Sequence, residues 1–139
     1  VSGDCSFCAI AAGEAEAEIV HEDPDAVAFL DARPLFRGHT LLIPREHVET
    51  LADLPEERIG PLFVLARRLS IAVRDAMSAE GSFVALNNRV SQSVPHLHVH
   101  VVPRVKGDGL RGFFWPRRKY ESDEEMAADA ARIRAALGG

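Results

Sequence analysis

In Pro95-His-Leu-His-Val-His-Val-Val-Pro103, His96, His98 and His100 stand at alternate positions with Leu97, Val99 and Val101 between them. A period of two belongs to a β-strand, so the apolar residues share one face and the imidazoles the other. A flexible histidine-rich tail would lack those apolar partners, so the segment demands a sheet with a packed face to receive it. With six histidines in 139 residues, this spacing arises by chance in roughly one chain in a hundred. The pattern therefore carries chemistry as well as structure.

The rest of the chain supplies neighbours for that strand. Residues 4–14, DCSFCAIAAGE, predict a short helix capped by Asp4 and stopped by Gly13. Two strands are expected in EIVHE and AVAFLD, parted by Asp23-Pro24-Asp25, and a third in GHTLLIP after a turn at Arg37-Gly38. From Pro55 to about Ala79, Ile59, Leu62, Ala66, Leu69, Val73 and Ala76 recur at helical spacing, with Gly60-Pro61 expected to disturb the first turn. SFVALN and the histidine segment complete five strands. Ser122 with Glu125 forms a capping box for a last helix that turns Met126, Ala130, Ile133 and Leu137 inward. Strands, a helix and further strands at this spacing predict an antiparallel α+β domain.

A chain of this length buries about 68–70% of its unfolded surface and can fold without a disulfide or a metal. Its formal charge of −5 argues against a general electrostatic grip on nucleic acid. The cluster Arg117, Arg118 and Lys119 reads as solvated surface. No apolar run has the length of a membrane span, and the N-terminal residues lack the pattern of a secretory signal, so no membrane partner and a cytoplasmic location are expected.

Three imidazoles on one strand cannot easily share one ion. Same-face neighbours lie about 6.6 Å apart and the outer pair about 13 Å apart, against metal–nitrogen bonds of about 2.0–2.1 Å. Division of labour is the better reading. The central His98 can act as a nucleophile on phosphorus if one nitrogen is unprotonated and the other is held as a donor. His100, next on the same face, is placed to assist a leaving group. Cys5 and Cys8, the chain's two cysteines, fit a redox pair, half of a zinc site or two small buried thiols. His47 and His96 are available to complete a Cys2His2 set.

Taken together these residues resemble the histidine triad (HIT) superfamily, whose signature of alternating histidines and apolar residues stands here as His96-Leu97-His98-Val99-His100-Val101-Val102. CSFCAI, AVAFLDARPLFRGHTLLIPREH and QSV before the triad extend the likeness over most of residues 4 to 104. The resemblance implies a HIT-like α+β fold: a five-stranded antiparallel sheet with one long helix, a short N-terminal helix and a C-terminal helix. Residues 1–139 would form a single domain, 1–104 its core and 105–139 a C-terminal tail and helix, and two copies would form a homodimer through the long helix.

It also implies hydrolysis or transfer at the α-phosphate of a nucleoside phosphoramidate or dinucleoside polyphosphate, through a nucleotidyl-histidine. By that likeness His98 is the nucleophile and His100 assists the leaving group and phosphate. Asn87, Ser93 and, more weakly, Gln92 hydrogen-bond phosphate oxygens. Asp31 binds the ribose; Phe7, Ile10 and Phe29 wall a purine base, adenine being expected; His39 lies near the same pocket. Cys5, Cys8, His47 and His96 bind a structural zinc, and no organic cofactor is implied. The stretch between Asn87 and Gln92 is shorter than the glycine-rich loop of many relatives, which counts against dinucleotide substrates. Trp115 is a candidate to reach a partner subunit's site. Readings of another class stay open at this stage: a slow-turnover nucleotide-binding regulatory module, or an enzyme that uses the histidines to hold a catalytic metal.

Overall fold

The computed structural model describes residues 4–111 and 117–138. The aromatic triplet Phe113, Phe114 and Trp115 lies outside the described residues. The chain divides into two compact units, Val1–Asp108 and Gly109–Gly139.

The first unit is built on one antiparallel sheet. Its strands are β1 (Ile19–Glu22), β2 (Ala26–Leu30), β3 (Thr40–Pro44), β4 (Gly81–Ala85) and β5 (Val99–Arg104), in the order β1-β2-β3-β5-β4. The helix α1 (Ser6–Ala11) precedes the sheet, and α2 (Glu56–Ala76) joins β3 to β4. Antiparallel pairing throughout matches the α+β architecture expected from the sequence.

Each turn has a local cause. Asp23 closes β1 onto β2 by accepting the N–H groups of Asp25 and Ala26 on Oδ1, both at 2.8 Å. Before β3, the His39 N–H donates to Phe36 O at 3.0 Å while Gly38 takes φ +96°, a conformation open to glycine. In α1 the cap is Cys5 and not Asp4: Cys5 Sγ accepts the Cys8 N–H at 3.3 Å. Gly13 ends the helix as expected, at φ +76°, with Gly13 N–H donating to Ile10 O and Glu14 N–H to Ala9 O, the paired bonds of a Schellman cap.

Both faces of the central strands are buried. On one face Ala26, Ala28, Leu42, Leu97, Val99 and Val101 pack against Leu62, Leu65, Ala66, Leu69 and Val73 of α2. On the other, Val27, Phe29, Leu41 and Ile43 pack with Cys5 and Phe7. The helix departs from its expected stripe at two positions, since Leu65 is buried and Ala76 is exposed. It also runs unbroken through Gly60-Pro61. Proline there removes one i→i−4 bond near the N-terminus, which burial of the following apolar stripe outweighs.

The histidine strand is shorter than its alternation implies. The ladder begins at Val99, so His96 and His98 precede it. Pro95 has no N–H to give, and the Leu97 N–H donates to Val48 O at 2.7 Å, leaving the ladder. Leu97, Val99 and Val101 are nonetheless fully buried on the α2 face.

In the second unit α3 (Asp123–Ala136) is capped by Ser122, whose side chain accepts the Glu125 N–H at 3.1 Å. Its apolar stripe does not turn inward: Met126, Ile133 and Leu137 are exposed.

Gly38 is the position where backbone and packing demands coincide. An added Cβ would sit 2.6 Å from Met77 Cγ, besides the strain of a positive φ. Gly38→Ala is expected to cost about 1–3 kcal/mol, read as a lower urea midpoint with an unchanged slope. An unchanged midpoint would contradict this account of the turn.

Candidate functional site

Helix α1 lies over the sheet face opposite α2 and leaves an open cleft of about 1280 Å³ beside it. Phe7, Ile10, Phe29 and Leu41 form an apolar wall, Asp31 and Arg33 lie at the end of β2, and Ser93, His98 and His100 supply polar groups. Phe7 meets Phe29 edge-on at a centroid distance of 5.4 Å and His98 at 5.0 Å. Arg45 secures this wall from behind. Its guanidinium donates to Ala11 O and Asp23 O, both at 2.6 Å, tying the end of α1 to the β1–β2 turn.

His98 is 3% exposed, and its Nδ1 lies 2.8 Å from the backbone carbonyl of His96. A carbonyl only accepts, so Nδ1 carries a proton, and the neutral form of the ring has its lone pair on Nε2. His100 is held in the opposite sense. The Leu35 N–H donates to Nδ1 of His39 at 3.1 Å, which leaves Nε2 of His39 to donate to Nδ1 of His100 at 3.0 Å. His100 therefore carries its proton on Nε2. Burial, followed by the neighbouring His98 and His39, pushes the His100 pKa down to about 4, and burial lowers that of His39 as well. Both rings are neutral near pH 7.

Ser93, Asp31, Phe7, Ile10 and Phe29 line the cleft as expected from the sequence. Three expected residues do not. His39 is buried beneath the site and touches His100. Asn87 is exposed and donates to Ser91 O at 3.2 Å. Gln92 accepts the Arg89 N–H at 2.8 Å and donates to Glu49 O at 2.7 Å, so both ends of its amide are committed. In the loop these two residues shape, Arg89 and Ser91 adopt positive φ.

His96 turns away from the cleft. Its Nε2 donates to Pro44 O at 2.8 Å, which leaves the lone pair on Nδ1. Around that lone pair stand His47 Nδ1 at 3.2 Å, Cys5 Sγ at 3.4 Å and Cys8 Sγ at 3.5 Å, and Cys8 Sγ lies 3.2 Å from His47 Nδ1. One lone pair needs a single donor. Edges of this length match a tetrahedron about an ion with bonds of about 2.0–2.3 Å to nitrogen and sulfur, so the donor set fits zinc. Burial, with Cys5 alongside, pushes the Cys8 thiol up to about 11, so the site favours thiolate only when a cation is present.

Asp31, His39 and His100 also place a ligating atom each within 4.8 Å of one another. That cluster is no equivalent site, because the Leu35 N–H occupies the one lone pair of His39 and keeps a proton on the nitrogen facing His100.

The lowered pKa of His100 sets a sign for the pH dependence of stability. The unfolded chain protonates near the usual value of 6.5 and the folded one near 4, so stability is full above about 6.5 and is lost as pH falls towards 4. The wild type is expected to lose more urea stability across that window than His100→Gln. Parallel losses would contradict a neutral His100.

Known proteins share the sequence signature and the fold. A HIT domain model matches residues 12–107. An uncharacterised HIT-like protein of Mycobacterium tuberculosis is 41% identical over 108 residues, 76% of this chain and 75% of that protein. Adenylylsulfatase HINT3 of Arabidopsis thaliana is 31% identical over 112 residues, 79% of this chain and 57% of that protein. The crystal structure of SMU.412c from Streptococcus mutans superposes with a TM-score of 0.87 at 33% identity, covering 100% of this chain and 88% of that one. A Zn-bound histidine triad family protein from Mycobacterium smegmatis superposes at 0.73 with 35% identity, covering 96% and 97%. With its signature, its sheet order and these matches agreeing, the chain belongs to the HIT domain family.

Proposed function

We propose that the protein is a nucleotide hydrolase or transferase that acts at the α-phosphate of a purine nucleotide through a covalent intermediate on His98. The observation that carries this reading is the His98 Nδ1–His96 O bond on the wall of the cleft. It commits Nδ1 to donating, so that the free electron pair of the unprotonated ring falls on Nε2, where a nucleophile needs it.

The rest of the cleft supplies the binding side. Phe7, Ile10 and Phe29 sandwich a base, adenine being the expected one, and Asp31 accepts the ribose hydroxyls. Ser93 and the Nε2–H of His100 donate to the phosphoryl oxygens, where negative charge concentrates in the transition state. His98 Nε2 forms a bond to phosphorus as the bond to the leaving group breaks and its electron pair departs with that group. Water then attacks the same phosphorus and gives up a proton to the solvent, the P–N bond breaks, and His98 recovers its lone pair. Asn87 and Gln92 shape the loop above this centre and leave the phosphate to Ser93 and the imidazoles. The name of the Arabidopsis relative, an adenylylsulfatase, fits a nucleotide with a compact leaving group.

Cys5, Cys8, His47 and His96 would hold a structural zinc. When bound, the ion supplies a cross-link between α1, the segment after β3 and the start of the triad. A homodimer completes the proposal. The outer face of α2 exposes Phe63, Val64 and Ile71, and the edge strand β4 exposes Val84, an apolar surface suited to a second copy.

Incubation with radiolabelled adenosine phosphoramidate followed by a rapid quench should leave acid-labile label on the wild type and none on His98→Ala, which still binds adenosine monophosphate. Label on His98→Ala, or none on a wild type that turns over, would overturn the reading. For the metal, chelation should lower the melting midpoint and Cys8→Ser should lose stoichiometric zinc. Chelation that abolishes turnover at an unchanged midpoint would point to a catalytic metal instead.

A further inference from the structure

The pair His39–His100 has a property that the proposed reaction does not require of it. Its ring nitrogens have a fixed order of donors and acceptors, set from one end by a backbone amide. The Leu35 N–H can only donate, so His39 Nδ1 accepts; His39 Nε2 then donates, and His100 Nδ1 accepts. The reverse order would place two N–H groups against each other at 3.1 Å. Asp31 Oδ2, 3.7 Å from His39 Nε2, further favours the proton on that nitrogen.

We propose that His39 is a positioning residue that holds His100 as a neutral Nε2–H donor facing the phosphate, and so bars it from becoming an imidazolium. The proposal rests on the nucleotidyl-transfer reading of the cleft. Its physical content is a count of proton sites. Of the ring nitrogens in the pair, His39 Nδ1 is occupied by the Leu35 N–H, His39 Nε2 and His100 Nδ1 share one proton, and His100 Nε2 carries the other. A third proton has no place without breaking one of these bonds. His39 is buried and keeps out of the cleft, so it acts through His100 and not on the substrate. His100 accordingly gives the phosphoryl oxygen a hydrogen bond and keeps its proton. A leaving amine or oxyanion takes its proton from water.

The test needs no turnover for its first arm. Long-range proton–nitrogen NMR on the zinc-loaded wild type, with histidine labelled at both ring nitrogens, should find His100 protonated at Nε2 and unprotonated at Nδ1 near pH 7. In His39→Leu the His100 signals should shift to a mixture of tautomers. His39→Gln, whose amide oxygen can accept the Leu35 N–H and whose NH2 can donate to His100, should restore the single tautomer.

In the second arm, kcat for His39→Leu should fall roughly 10- to 100-fold, the loss expected on removing a partner behind a working imidazole, with KM little changed and with recovery in His39→Gln. A wild-type His100 protonated at Nδ1, or a His39→Leu variant that keeps both its tautomer and its kcat, would overturn the proposal. Covalent labelling of His98 separates the two claims. If the wild type takes no label while His100 shows the expected tautomer, the reaction is wrong and the positioning holds; label with the other tautomer gives the reverse.

Discussion

The ring protons of three buried imidazoles, His39, His96 and His98, and of the half-buried His100 are placed by backbone atoms, and the proposed chemistry of the cleft depends on that placement. Pro44 O fixes His96, His96 O fixes His98, and the Leu35 N–H fixes His39 and through it His100. An imidazole in water exchanges freely between tautomers. A backbone carbonyl or amide cannot change its role, so each ring here has one stable state. Neighbouring histidines thus serve opposite ends: His98 offers a lone pair and His100 a proton, although their ring centroids are only 4.9 Å apart.

The same geometry links the candidate metal-ligand cluster to the proposed nucleophile. His96 reaches the Cys5–Cys8–His47 group with its ring and holds His98 with its own carbonyl. Anything that fixes the His96 side chain also fixes the peptide that orients His98. Arg45 works on the other flank, since its bonds to Ala11 O and Asp23 O keep α1, and with it Phe7 and both cysteines, against the sheet. The apolar wall and the metal-ligand cluster are therefore two uses of one short helix.

Much of this was legible in the sequence, for a physical reason: alternation and helical spacing report which side chains face a core. The buried Leu97, Val99 and Val101 and the stripe from Leu62 to Val73 follow directly from it. Periodicity is silent on hydrogen bonds, and the differences from expectation concentrate there. Asp4 carries the usual capping chemistry, yet Cys5 takes the cap because its sulfur faces the helix N-terminus. Gln92 has the chemistry of a phosphate ligand, yet its loop consumes both ends of its amide. By likeness His39 lies near the nucleotide pocket, and it is buried beneath His100, in contact with that ring and outside the cleft. The carbonyls of Pro44 and His96 and the amide of Leu35 leave no mark on a sequence, since every residue has such groups.

A double displacement leaves a record at phosphorus that single displacement cannot imitate. The most direct measurement is the stereochemical course of hydrolysis of an adenosine phosphorothioate made chiral at the α-phosphorus, run in oxygen-18 water. Attack by His98 followed by attack of water inverts the centre twice, so the account predicts overall retention. Inversion would mean that water attacks directly, and the covalent role of His98 would be wrong.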